Sequence, residues 1–126
     1  RVEFVGQLPS TDLPAEYHKI DALVLPSLTR PNWKEQFGRV LVEAMASGVP
    51  VIGSDSGAIP TVIGDAGLIT PEGDVPALKD AIQRMMDAPD LRSELVQRGR
   101  DRFLNHFTHE SIAKATVDVY REMLEP

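Results

Sequence analysis

Strand-sized segments and stretches of helical period alternate along this chain, and that alternation constrains its fold more than any other feature. Ala22-Leu23-Val24-Leu25-Pro26 is an uninterrupted apolar run. A run of this kind suits a strand buried on both faces, as in a parallel sheet. Val2 to Val5, Val49 to Gly53 and Gly67-Leu68-Ile69-Thr70 read as three further strands. Between and after them, apolar residues recur every three or four positions, the period of a helix packed on one face. The order is β-α-β-loop-α-β-α-β-α-α-α. Such alternation predicts a parallel sheet with helices on its faces. Right-handed crossovers then bring the C-terminal ends of all the strands to one edge.

The helix limits are marked by local chemistry. Thr11 or Asp12 caps a first helix with Pro14 in its first turn, where a missing N–H costs nothing. Leu13, Tyr17 and Ile20 form its apolar face. Phe37 to Ser47 reads as a helix stopped by Gly48. Ile59 to Ile63 reads as a short helix with Pro60 near its start. Asp74 caps a helix in which Val75, Leu78, Ile82, Met85 and Met86 keep helical period, with Met85 and Met86 read as core packing. Ala88-Pro89-Asp90 breaks it. Leu91, Leu95 and Phe103 mark another helix, and Thr108 caps a last one with Ile112, Thr116, Val119, Tyr120 and Met123 on one face. His106 and His109 flank that cap and lack a third ligand for a metal.

Composition excludes several classes. The 126 residues predict one domain. With no Cys, a disulfide framework, a thiolate zinc site and a Cys nucleophile are all ruled out. A net charge of −6 argues against nucleic acid, whose phosphates need clustered Lys and Arg. No apolar run approaches the roughly 18 to 20 residues of a membrane span. A strand beginning beside Arg1, with no lead-in, suggests a piece of something longer.

Ligands of open α/β sheets bind outside the C-terminal edge. Pro26 to Gly38, Ser54 to Pro60 and Thr70 to Asp74 are therefore the segments to search. The first contains an unusually long loop, Ser27 to Gln36, followed at once by a helix. A helix N-terminus offers free N–H groups and about half a positive charge, which suits a phosphate. From Pro26 to Glu43 the chain carries Arg30, Lys34 and Arg39 against Glu35 and Glu43, a basic island in an acidic protein. A plainer reading makes these solvated charges, with Arg39 and Glu43 an exposed pair four residues apart. Val42 and Ala46 share that face, which implies that something covers it. Trp33 either stacks on a ligand or anchors the loop.

Glu35-Gln36-Phe37-Gly38-Arg39-Val40-Leu41-Val42-Glu43-Ala44-Met45-Ala46-Ser47-Gly48-Val49-Pro50-Val51-Ile52 resembles the E-x-F-G-x-x-x-x-E-A-M-A-x-G-x-P-V-I signature of retaining GT-B glycosyltransferases of group 1, family four. Val2-x-Phe4-x-Gly6, Leu25-Pro26-Ser27, Ser56-Gly57-Ala58-Ile59-Pro60 and Gly67-Leu68-Ile69 are similar to further blocks of that family, in the same order. Two departures are Ala58, where the family usually has a second glycine, and Thr61, where it often has Glu. The resemblance implies an α/β fold: a partial Rossmann-like parallel sheet with helices on both faces, the C-terminal portion of the nucleotide-sugar-binding domain. It implies transfer of a hexose-type sugar from a nucleotide-diphosphate donor to a glycan, lipid or small-molecule acceptor, with no cofactor and no metal.

On this resemblance Glu35 is the catalytic-position acid and contacts donor-sugar hydroxyls. Phe37, Gly38 and Arg39 offer backbone N–H groups to the diphosphate and sugar. Glu43 accepts both ribose hydroxyls, and Pro26 and Ser27 line the nucleotide pocket. The first strand of the domain, the diphosphate-binding Arg and Lys and the acceptor domain with its His are all expected to precede Arg1, so the piece alone is not expected to turn over. A cytoplasmic location is implied, including the inner face of a membrane for the longer protein. The rivals are a non-catalytic α/β nucleotide-binding or receiver-like module and a GT-B sugar-nucleotide epimerase. A receiver needs clustered Asp at early strand ends to hold Mg²⁺. Here only Asp21 and Asp55 flank strands, and Asp21 lies at the wrong end.

Overall fold

In the computed structural model, which describes residues 1–124, three of the four expected strands pair in parallel. They are β1 (Leu23–Leu25), β2 (Val51–Ser54) and β3 (Gly67–Thr70), in the order β1-β2-β3. Leu23 lies opposite Val51, and Val51 in turn opposite Gly67. The helices are α1 (Leu13–Tyr17), α2 (Arg39–Ala46), α3 (Ile59–Ile63), α4 (Val75–Asp87), α5 (Pro89–His106) and α6 (His109–Leu124).

Strand side chains alternate between two apolar layers, as the two-residue period requires. Leu23, Leu25 and Val51 join α1, α2 and α3 on one face, around Leu41, Met45, Ile59 and Ile63. Val24, Ile52 and Leu68 join α4 on the other, around Ala81 and Met85. The fifth helix serves both layers, with Leu95 in the second and Phe103 against the first. It also covers α2: Gly99 packs so closely that a Cβ there would stand 3.1 Å from Met45 Cγ. The cover implied by Val42 and Ala46 is thus partly α5, whose Arg100 donates to the Ala46 carbonyl, and partly Tyr17.

Five expectations need correction. Val2 to Val5 forms no strand, and Val2, Phe4 and Val5 are exposed. A strand needs a neighbour for its N–H and C=O groups, and β1 pairs only with β2. The second helix begins at Arg39, two residues later than expected. Gly38 has φ 78°, a left-handed conformation that cannot continue a right-handed helix. Ile20 lies beyond α1 and is exposed, so the first apolar face is shorter than its period suggested. Met86 is exposed, while Met85 beside it is buried. In α6, Ile112, Val119, Tyr120 and Met123 are all exposed, and none of the helix's described residues is buried.

The remaining caps follow the sequence. Gly48 ends α2 at φ 74°, with Val49 N–H returning to the Ala44 carbonyl. Asp74 accepts from Ala77 N–H at 2.9 Å, and Thr108 Oγ1 from Ser111 N–H at 3.1 Å. Asp12 occupies the N-cap of α1 but does not cap it with its side chain, which accepts instead from Thr11 Oγ1.

Candidate functional site

The three segments marked for search meet at the C-terminal edge of the sheet. Ser54, at the end of β2, is buried and donates to the Ser27 carbonyl at 2.6 Å. Ser56 is fully buried and shares a hydrogen bond with Thr29 Oγ1 at 2.9 Å. Thr29 N–H donates to Glu72 Oε2 at 2.7 Å, and Glu72 N–H donates to Asp55 Oδ1 at 2.7 Å. The long loop after β1 is thereby tied to the turns after both other strands. The Thr29 N–H holds the Glu72 carboxyl below its ordinary range, because it bonds the charged form. Arg30 and Trp33 exchange two backbone hydrogen bonds, so Trp33 anchors the loop's tip through its backbone while half its side chain stays in solvent.

Glu35 sits where this loop turns into α2. Its carbonyl accepts from Ala58 N–H at 3.0 Å. A Cβ on Gly57 would lie 2.0 Å from that carbonyl oxygen, and Gly57 has φ 55°. Only glycine fits there on both counts. Ala58 has φ −84°, which any residue adopts, so the departure at Ala58 leaves this contact intact. The Glu35 side chain turns inward. Its Oε1 accepts from Gly38 N–H at 3.0 Å, and Ser27 Oγ reaches its Oε2 at 3.5 Å.

The start of α2 carries no side-chain cap and no acid in its first turn. No side chain of the helix itself offsets the positive end of its dipole there, and the acid at that end is Glu35, bonded to the Gly38 N–H. The left-handed Gly38 stands at the N-cap, close against Leu41 and Leu25. Phe37 is half exposed and meets Phe107 edge to face at 5.9 Å between ring centroids. Phe107 in turn lies beneath Arg102, which donates to the Thr61 and Val62 carbonyls at the end of α3. This packing holds Phe37 from the side.

Glu43, one turn into α2, is held from two directions. Arg39 Nε meets its Oε1 at 2.9 Å, the pair expected from the sequence. Tyr17 Oη donates to its Oε2 at 2.8 Å, a contact that the sequence did not disclose. Burial, then the bond to Glu43, pushes the Tyr17 phenol up to about 12. Pro26 lines a different part of the edge, a cleft of about 200 Å³ shared with Leu28, Ser54, Thr70, Pro71 and Leu78. Among the described residues, no three His, Asp or Glu side chains are grouped to hold a metal, and no helix is long and apolar enough to cross a membrane.

Thr29, Ser56 and Glu72 frame the site; all three lie in the segments marked for search, but sequence reasoning assigned none of them an individual role. Hydroxyls just beyond strand ends were a usable signal for Thr29 and Ser56. For Glu72 and Tyr17 none existed, since both contacts cross long stretches of chain.

Comparison with known proteins matches this architecture. The model of the family "Glycosyl transferases group 1" matches residues 1–102. A glycogen synthase of Mycobacterium tuberculosis is 34% identical over 119 residues, which span 93% of this chain and 28% of that protein. O-antigen chain mannosyltransferase B of Escherichia coli is 32% identical over 120 residues, 95% of this chain and 30% of that one. Among solved structures, sucrose-phosphate synthase from Thermosynechococcus elongatus superposes with a TM-score of 0.81 at 37% identity. That superposition covers 98% of this chain and 30% of the other. The chain thus spans about a quarter to a third of the curated relatives it matches. With the parallel sheet and its flanking helices, these matches place the chain in the glycosyl transferases group 1 family, within the GT-B fold.

Proposed function

We propose that this segment supplies the donor half of a nucleotide-sugar-dependent glycosyltransferase and holds the diphosphate at the start of α2. The observation that carries the reading is the bracketing of one uncapped helix N-terminus by Glu35 on the loop side and Glu43 one turn in. Carboxylates accept hydrogen bonds from hydroxyls and repel phosphate. Their places therefore suit sugars on either side of a diphosphate. In this reading Glu35 meets the donor sugar, and Glu43 the ribose. The backbone N–H groups from Phe37 to Arg39 face the diphosphate. Gly38 N–H is already engaged by Glu35, so Glu35 must share or release it when a donor binds.

Charge develops on the departing diphosphate as the glycosidic bond breaks. A fixed dipole stabilises that charge with no reorganisation at the moment of reaction. The reading calls for no metal or other cofactor. Retention of anomeric configuration, a hexose-type donor, and a glycan, lipid or small-molecule acceptor belong to the proposal, as does the position of this segment as the C-terminal portion of its domain. So does a cytoplasmic setting, including the inner face of a membrane.

Calorimetric titration of UDP, ADP, GDP and their glucose and mannose conjugates into the natural protein tests the reading. Glu43→Gln is expected to weaken every nucleoside diphosphate that binds, by about tenfold for one lost charged hydrogen bond. Glu35→Ala should spare the free diphosphates and cost affinity only for the sugar conjugates, with loss of turnover. Two variants that titrate like the unaltered protein would place the donor elsewhere.

A further inference from the structure

Resting on the donor-site reading above, we infer that Tyr17 is a positioning residue for Glu43 and sets how strongly the site distinguishes ribose from deoxyribose. Tyr17 is the one buried residue of α1, a helix of five residues. Its ring is packed in the layer that contains Val42 and Leu41, and its hydroxyl crosses to α2 to reach Glu43 Oε2. A phenylalanine would fill the same layer. The hydroxyl adds a polar group that must find a partner in a half-buried place, and the partner it has found is the proposed ribose acceptor.

The two donors on Glu43 are unlike. Arg39 is a neighbour on the same helix, and its side chain is 73% exposed. An exposed pair of this kind is weak and screened by salt. Tyr17 is 7% exposed and belongs to the core. It therefore supplies the rigid member of the pair. With one donor on each oxygen, the plane of the Glu43 carboxylate is set. Each oxygen keeps a further lone pair for a ligand hydroxyl, enough for two vicinal hydroxyls.

Tyr17 and Glu43 also share the wall of a groove of about 210 Å³, lined in addition by Ser10, Leu13, Pro14 and Ser47. The pair therefore borders space that a ligand can enter.

The test is Tyr17→Phe in the natural protein, titrated by calorimetry with UDP, ADP and GDP and with their 2′-deoxy counterparts. The expected result is a fall of about tenfold in affinity for whichever ribonucleotide binds, the effect of one hydrogen bond to a charged group. The 2′-deoxy nucleotide should lose less, so the ribo-to-deoxy ratio shrinks. Equal losses for both sugars, or none, would make Tyr17 a packing residue and overturn the inference. If Tyr17→Phe lowers the melting temperature too far for titration, 3-fluorotyrosine at position 17 alone carries the test, since it keeps the ring and alters the donor. The ratio should then move; an unchanged ratio is contrary. Glu43→Gln runs in parallel. If it leaves nucleotide affinity intact, the donor-site reading fails and the inference with it. If it weakens binding while Tyr17→Phe does not change the ratio, only the inference fails.

Discussion

Gly57 shows how much one missing methyl can decide. The Glu35 carbonyl occupies the space that a Cβ on Gly57 would need, and the residue's φ of 55° already disfavours any side chain. Gly57→Ala must push the loop that carries Glu35 away from β2 or strain its own backbone. Backbone strain of that sort costs about 1–3 kcal/mol. The expected outcome is a melting temperature several degrees lower and a weaker response to the sugar part of a donor. Ala58→Gly next to it should change neither by a measurable amount, because Ala58 has an ordinary conformation. Equal behaviour of the two variants in thermal melts would remove the steric argument.

Tyr17 makes a second residue-scale prediction, on pH. Its phenol is pushed up to about 12 from its ordinary value of 10.0. A group whose folded value lies above its unfolded one stabilises fully below the unfolded value. Its contribution is lost as pH rises through the folded value. The Tyr17 contribution should therefore hold up to about pH 10 and disappear between about 10 and 12. The phenolate absorbance that Tyr17→Phe removes should appear only above about pH 10 in the folded protein. Its appearance at the ordinary phenol value would contradict this.

At the scale of elements, the loop after β1 is held by hydrogen bonds that reach β2 and β3. The Glu72 carboxyl, bonded by Thr29 N–H, stays charged to a lower pH than an ordinary carboxyl. A depressed value means that the contribution is present at neutral pH and lost as pH falls through the folded value. The Thr29 amide should accordingly be protected from hydrogen exchange at neutral pH, and its protection relative to a free amide at the same pH should fall below the ordinary carboxylate range. Glu72→Gln should abolish that pH dependence. An amide that exchanges identically in both proteins would show that the tie has no effect.

Legibility divides along the same line as these contacts. Local chemistry was readable. Gly48 ended α2, Asp74 and Thr108 capped their helices, and continuous apolar segments became β1 and β2. Convergence of three loops on one edge was readable too, because handed crossovers permit little else. The failures have a physical pattern. Val2 to Val5 has a strand's composition but pairs with neither open edge of the sheet, and strand formation is a property of pairs. The left-handed Gly38 delayed α2 by two residues, since Phe37 and Gly38 read equally well as a first turn. In the site, Glu35 and Glu43 were visible as types at a spacing. What holds them was not: Tyr17 lies 26 positions from Glu43, and Glu72 lies 43 from Thr29.

The whole molecule is two apolar layers that share one narrow sheet. Its central strand, β2, is buried along its length and sends Val51 to one layer and Ile52 to the other. Gly53 between the layers leaves room for Ile59 and Ile63, whose side chains would lie 2.4 and 2.7 Å from a Cβ there. Damage to β2 should therefore be felt by both layers. Ile52→Ala should cost about 2–5 kcal/mol, the usual range for a fully buried aliphatic side chain. It should appear as one shifted urea transition in circular dichroism, with no separate loss of the α4 layer. Two resolved transitions would mean that the layers fold independently.

The same architecture explains why the proposed site lies where it does. Strand ends supply Ser54 and the loop anchors, α2 supplies an uncapped dipole, and α1 supplies a fixed donor to Glu43. The most direct measurement is a crystal structure of the natural protein with whichever of UDP, ADP or GDP binds most tightly. The account predicts the diphosphate at the backbone N–H groups of Phe37 to Arg39 and the ribose hydroxyls on the Glu43 carboxylate. A nucleotide bound at another edge of the sheet, with Glu43 still held only by Tyr17 and Arg39, would contradict it.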